Sequence, residues 1–166
     1  ITTFSSFFDP NAPGLGLPGN ISTSFGSLTL TGGATIQSGV FAGSQGGSVS
    51  VVATGPVVIS NGGGIASEAF FNDVGNITIS APQIIVNNGF ISTSTLQSGR
   101  AGDISITAGT LTLENGGQIA SASIAEALGR GGDVHLNVGS LTIGGRSPTG
   151  GSVLPPPFDR FFPEAR

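Results

Sequence analysis

Residues 102–123 read GDISITAGTLTLENGGQIASAS. Three short runs alternate apolar with polar residues: Ile104-Ser105-Ile106, Leu111-Thr112-Leu113 and Ile119-Ala120-Ser121. A turn cluster, Glu114-Asn115-Gly116-Gly117, separates the second run from the third. Alternation with a period of two over three to five residues, bounded by Gly and Asn, specifies strands and not helices. The stretch therefore reads as one coil carrying three strands.

Working outward, the same pattern recurs. Coils open at Gly19-Asn20-Ile21, Gly47-Ser48-Val49, Gly75-Asn76-Ile77, Gly102-Asp103-Ile104 and Gly132-Asp133-Val134, so the spacings are 28, 28, 27 and 30 residues. The first strand column carries Ile21, Val49, Ile77, Ile104 and Val134. The second carries Leu28/Leu30, Val57/Ile59, Ile84/Val86, Leu111/Leu113 and Leu141/Ile143. The third carries Ile36, Ile65, Ile91 and Ile119, and the fifth coil stops before reaching it. The 27-residue spacing reflects a turn from Val86 to Ile91 one residue shorter than its equivalents. Length changes confined to turns, with strands kept in phase, are the mark of a solenoid. The expected fold is all-β, a parallel β-solenoid of about five coils with three short strands in each. Three sheets, one per column, would span on the order of 24 Å of axis at the usual strand spacing.

Composition agrees with stacked coils. Only 8% of the 166 residues are charged, against roughly 25% in ordinary domains. Equivalent residues of successive coils lie roughly 4.8 Å apart, where like charges repel and Ser, Thr or Asn can stack. A net charge of −4 with five Arg and no Lys argues against nucleic acid as a partner. The chain has no Cys, which excludes a disulfide scaffold and thiolate metal sites. No apolar run reaches 18 residues, so no membrane insertion is expected. The absence of an initiator Met and of a signal peptide suggests a mature product or a fragment.

The ends differ from the middle. Residues 1–18 and 145–166 together hold six of the 11 Phe and eight of the 10 Pro. Flexible linkers are polar and rich in Gly and Ser, not in Phe. Residues 1–18 are therefore read as an N-terminal capping or assembly segment, 19–144 as the solenoid and 145–166 as a C-terminal capping or assembly tail. Phe4, Phe7, Phe8, Phe158, Phe161 and Phe162 are the candidate capping or assembly residues. They either close the ends of their own solenoid or pair with another subunit, because open solenoid ends generate fibres.

Candidates for chemistry are few. Asp103 and Asp133 share a column and could form a catalytic carboxylate pair. Asn20, Ser48 and Asn76 take that column elsewhere, which favours a turn role. Arg100 and Arg130 precede those aspartates by three residues and suggest a corner ladder of ion pairs, with an anionic sugar as the weaker reading. Asn61, Asn88 and Asn115, with Gly32 in the first coil, form a structural turn ladder, since Asn tolerates the left-handed conformation. His135, the one His, has no second ligand for zinc. Gly14–Gly19 matches G-x-G-x-x-G, but no strand precedes it and Pro18 interrupts it. One Gly-Asp per coil does not meet the nine-residue calcium pattern. Residues 124–131, IAEALGRG, have room for one helical turn at most. No catalytic residue, cofactor or metal is expected.

The recurring G-[DN]-I-[ST]-I-x-A…L-T-L-x-N-G-G-x-I-x-[ST] pattern resembles the repeat region of filamentous-haemagglutinin-like bacterial exoproteins exported by two-partner secretion. The resemblance covers about 19–144 and is closest at Gly75–Ser80 and Gly102–Ser123. It implies a right-handed parallel β-helix, an extracellular or cell-surface location and an adhesive or structural role. The expected partners are further copies of the chain, end to end or laterally, and surface polysaccharide. A carbohydrate-binding or polysaccharide-degrading β-helix protein is the alternative, although such an enzyme needs clustered acids and bases along one groove.

Overall fold

The computed structural model describes residues 1–5, 19–40, 45–124 and 129–145. These contain twelve strands and no helix. The strands are β1 (Thr2–Ser5), β2 (Ile21–Phe25), β3 (Leu28–Leu30), β4 (Thr35–Val40), β5 (Val49–Ala53) and β6 (Val57–Ser60). They continue with β7 (Gly64–Ala69), β8 (Ile77–Asn87), β9 (Phe90–Thr95), β10 (Ile104–Glu114), β11 (Gln118–Ser123) and β12 (Val134–Ile143). Every pairing is parallel and joins one coil to the next. The chain winds as a right-handed parallel β-helix of about four turns, the hand that parallel crossovers take.

The register follows the sequence columns residue for residue. Ile21 pairs with Val49, Val49 with Ile77, Ile77 with Ile104 and Ile104 with Val134. Ile36, Ile65, Ile91 and Ile119 align in the third column. Inward aliphatics stack into one continuous core, in which Ile59, Ile65, Ile77, Ile79, Ile84, Ile91 and Ile104 are fully buried. Each such side chain contributes about 1.5–3 kcal/mol on burial, so the stack of Ile is the main source of cohesion.

Where three sheets were expected, the columns form two. From the third coil upward the first and second strands run on as single bent strands, β8, β10 and β12. Pairing skips only the corner residues Pro82, Gly109 and Gly139. Pro82 thus sits at the bend inside β8, where its missing N–H falls at a position that makes no ladder pair. The second coil keeps separate strands because Thr54-Gly55-Pro56 makes its corner one residue longer, eight residues from Val49 to Val57 against seven in every other coil. The first coil, which pairs with it, is likewise divided at Gly26-Ser27.

The N-terminal strand is continuous with the stack: β1 pairs with β4 and extends the third column by one rung. Its strand pattern was hidden because its partner β4 follows 35 residues on, from Thr2 to Gln37, outside the 27–30-residue spacing of the coils. Phe4 lies in this rung, opposite Gly39. Phe7, Phe8, Phe158, Phe161 and Phe162 lie outside the described residues, as do 125–128 of the segment 124–131 and the Gly14–Pro18 part of the G-x-G-x-x-G match.

Gly47, Gly75, Gly102 and Gly132 open successive coils under a tight constraint. A Cβ on Gly75 would collide with the carbonyl of Gly47 in the coil below. The invariant Gly at each coil start is therefore set by backbone contact between rungs.

Candidate functional site

Four groupings of polar side chains emerge from this scaffold. The first is the corner column where each coil begins. The backbone N–H of Ser48 donates to Asn20 Oδ1 at 2.8 Å, Asn76 N–H to Ser48 Oγ at 3.1 Å, Asp103 N–H to Asn76 Oδ1 at 2.8 Å and Asp133 N–H to Asp103 Oδ1 at 2.8 Å. Asx and Ser side chains at one turn position thereby tie five coils together. Asp103 Oδ1 also accepts from Arg100 at 2.7 Å, and Arg100 reaches Asp133 Oδ2 at 3.5 Å. The Asp133 N–H, with Arg100 beside it, holds the Asp103 carboxyl below the usual carboxylate range. The candidate carboxylate pair is thus brought together, but Asp103 is engaged in holding the corner. Arg100 and Arg130 form an isolated parallel bridge through their backbones.

The second grouping is the turn between the second and third columns. Asn61, Asn88 and Asn115 have φ of 49°, 51° and 49°, and Gly32 takes φ of 62° in the first coil. Their side chains do not bond to one another in a single file. Asn115 Nδ2 donates to Asn87 Oδ1 at 3.1 Å and Asn61 Nδ2 to Thr31 Oγ1 at 3.4 Å, one coil below and one residue earlier. At Asn61 and Asn115 the amide thus reaches the preceding position of the coil below.

The third grouping was not singled out from the sequence. Ser38, Ser67, Thr93 and Ser121 follow the third-column Ile by two residues and point inward. Their hydroxyls donate to the carbonyls that open the coils: Ser38 to Gly19 at 3.2 Å, Ser67 to Gly47 at 2.8 Å, and Thr93 and Ser121 to Gly102 at 2.6 and 2.9 Å. Each closes the coil by bonding its third strand to the corner column, and the I-x-[ST] signature was the available signal. On the opposite face of the same sheet, Glu68 is only 5% exposed. Gln37 Nε2 donates to its Oε2 at 2.7 Å, while Oε1 has no partner. Burial pushes this carboxyl up to about 8 against the opposing effect of the Gln37 bond. A lone Glu between Ser67 and Ala69 gave no sequence cue, since burial of an outward position is a tertiary property.

The fourth is a shallow notch of about 360 Å³ at the exit from the third column, lined by Gln45, Phe71, Asn72, Asp73, Ser98 and Gly99. The Phe71 ring meets Phe70 edge-on at 4.7 Å and 68°. Ser98 Oγ donates to the Phe71 carbonyl at 2.6 Å, and Asp73 Oδ1 accepts the Arg100 N–H at 2.7 Å. An aromatic face beside amide and carboxylate groups is chemistry suited to a sugar ring. Among the described residues, no three His, Cys, Asp or Glu are grouped to hold a metal. His135 stands on the exposed face of β12.

No family model, curated protein or solved structure matches the chain.

Proposed function

We propose that the chain is a non-enzymatic structural or adhesive solenoid of a secreted or surface-exposed bacterial protein, extended end to end by parallel strand pairing. One observation carries this reading. Among the described residues, the final rung has exposed core-column side chains, with Val134 42%, Leu136 39%, Leu141 44% and Ile143 72% exposed. At the other end β1 pairs with β4 on one side only, and Ile1 is 66% exposed. Such edges favour a further parallel rung, whether from the same chain or from another copy. The extracellular, bacterial setting rests on the resemblance to filamentous-haemagglutinin-like repeats.

Sedimentation velocity with electron microscopy across a concentration series tests the reading. The full chain should form rods that lengthen with concentration, and the double variant Leu141→Lys, Ile143→Lys should suppress them by placing like charges on the pairing edge. A full chain that stays monomeric throughout the series would contradict it. The notch at Phe71 favours a second reading, contact with surface polysaccharide. On a glycan array, binding that disappears in Phe71→Ala would support it.

A further inference from the structure

The third column has an outer face that departs from the rest of the solenoid. Along β7 and β9 the inward residues are Ile65, Ser67, Ile91 and Thr93, so Ala66, Glu68, Phe90, Ser92 and Ser94 point outward. Outward residues of the first two columns, such as Ser22, Ser24, Thr29 and Thr78, are exposed, and Val52 reaches 46%. On the third column the values are 1% for Ala66, 5% for Glu68, 8% for Phe90, 1% for Ser92 and 0% for Ser94. Side chains on neighbouring rungs stand side by side, roughly 4.8 Å apart, and small ones cannot cover one another. This face is therefore covered.

The cover has a definable chemistry. Glu68 Oε1, Ser92 Oγ and Ser94 Oγ are buried without a hydrogen-bond partner. A polar cover would supply donors and acceptors to these atoms, and leaving them bare is costly. The occupant is donor-poor and brings enough apolar area to offset that cost. The floor suits it: the Phe90 ring lies over Gly64, where any Cβ would collide with it.

We propose that this face is the seat of the chain's own C-terminal segment, residues 146–166. Its sequence, RSPTGGSVLPPPFDRFFPEAR, carries five Pro, which have no N–H to donate, together with Val153, Leu154, Phe158, Phe161 and Phe162. It begins after Gly145, at the corner that in the coil below leads through Gly116-Gly117 into β11. That corner adjoins the edge of the sheet bearing Phe90 and Gln118. Descending from the fifth rung to the third requires about 10 Å, three or four extended residues. Residues 6–18 leave β1 from the opposite edge of this column, also two rungs from the face at β7, but they are tied at both ends because they must return to Ile21 at the start of the first coil. On this assignment Phe158, Phe161 and Phe162 serve the flank of their own solenoid and not the end-to-end contact.

The chain lacks cysteine, so one introduced thiol reports the face. Ser94→Cys in the full chain should react slowly with a maleimide, and Thr107→Cys, at an exposed position, should react fast. Adding Phe158→Ser, Phe161→Ser and Phe162→Ser should raise the rate at position 94 by at least about tenfold, as expected for a locally opened site. The rate at position 107 and the β-sheet circular dichroism should not change, and Phe158→Ser alone serves if the triple variant unfolds. The assignment is overturned if Phe7→Ser with Phe8→Ser exposes the thiol instead, which would make 6–18 the occupant. Protection that appears only with rising protein concentration would assign the face to a second copy. A rate unmoved by any of these changes would mean that the sheet closes itself. Because the readout is thiol reactivity at low concentration, its failure is distinct from failure of the end-to-end reading.

Discussion

At the scale of single residues, two positions carry tests of their own. Burial pushes the Glu68 carboxyl from its ordinary value of 4.5 up to about 8 in the folded chain. Between those values unfolding releases a proton, so stability falls as pH rises through this window and is independent of this group below it. Each unit is worth about 1.4 kcal/mol, so the group costs several kcal/mol by pH 9. Glu68→Gln should remove the slope and melt above the wild type at pH 9, as thermal denaturation followed at several pH values would register. An unchanged slope would mean that the carboxyl is solvated. Asn88, at φ of 51°, gives a second case. Asn88→Gly should be tolerated, whereas Asn88→Val should cost about 1–2 kcal/mol in urea unfolding, the penalty for a left-handed β-branched residue.

At the scale of the strand, the two faces of the third column behave oppositely. Ser67 donates from inside to the Gly47 carbonyl at 2.8 Å, while Ser92 Oγ is buried without a partner. Ser67→Ala should destabilise by about 1–2 kcal/mol because it strands a buried acceptor. Ser92→Ala should be neutral or stabilising, since it removes an unsatisfied hydroxyl. Equal losses in the two variants would refute the distinction. The elements themselves were largely legible: aliphatic alternation marked every column, and Gly at each coil start and Asn at each turn marked the corners. Two features were not. The joining of the first two strands in β8, β10 and β12 does not follow from spacing alone, since the first coil has the same seven-residue spacing and yet stays divided. The rung Thr2–Ser5 stands alone in sequence and gains its identity only from pairing with β4.

At the scale of the whole molecule, cohesion comes from rung-on-rung repetition. Core Ile stacks and the Asx corner ladder link each coil to its neighbours, while inward hydroxyls such as Ser38, Ser67 and Ser121 close their own coils, so stability is a sum of near-identical rungs and interfaces. The repeat predicted the axis and the core, because both follow from period and polarity. The covered flank of the third column escaped it, because Ala66, Ser92 and Ser94 read as ordinary outward residues and their burial is a tertiary property that period and polarity do not encode. The same limit applied to Glu68.

The central claim is the parallel, in-register stack, and distance between rungs tests it most directly. Ser22 and His135 are both exposed and stand four rungs apart in one outward column, through Ser50, Thr78 and Ser105. With no native cysteine to interfere, spin labels on Ser22→Cys and His135→Cys can be placed cleanly for pulsed electron paramagnetic resonance. Four spacings predict one narrow distribution near 19 Å, broadened only by the label arms. A broad distribution, or one centred beyond about 35 Å, would contradict the stack.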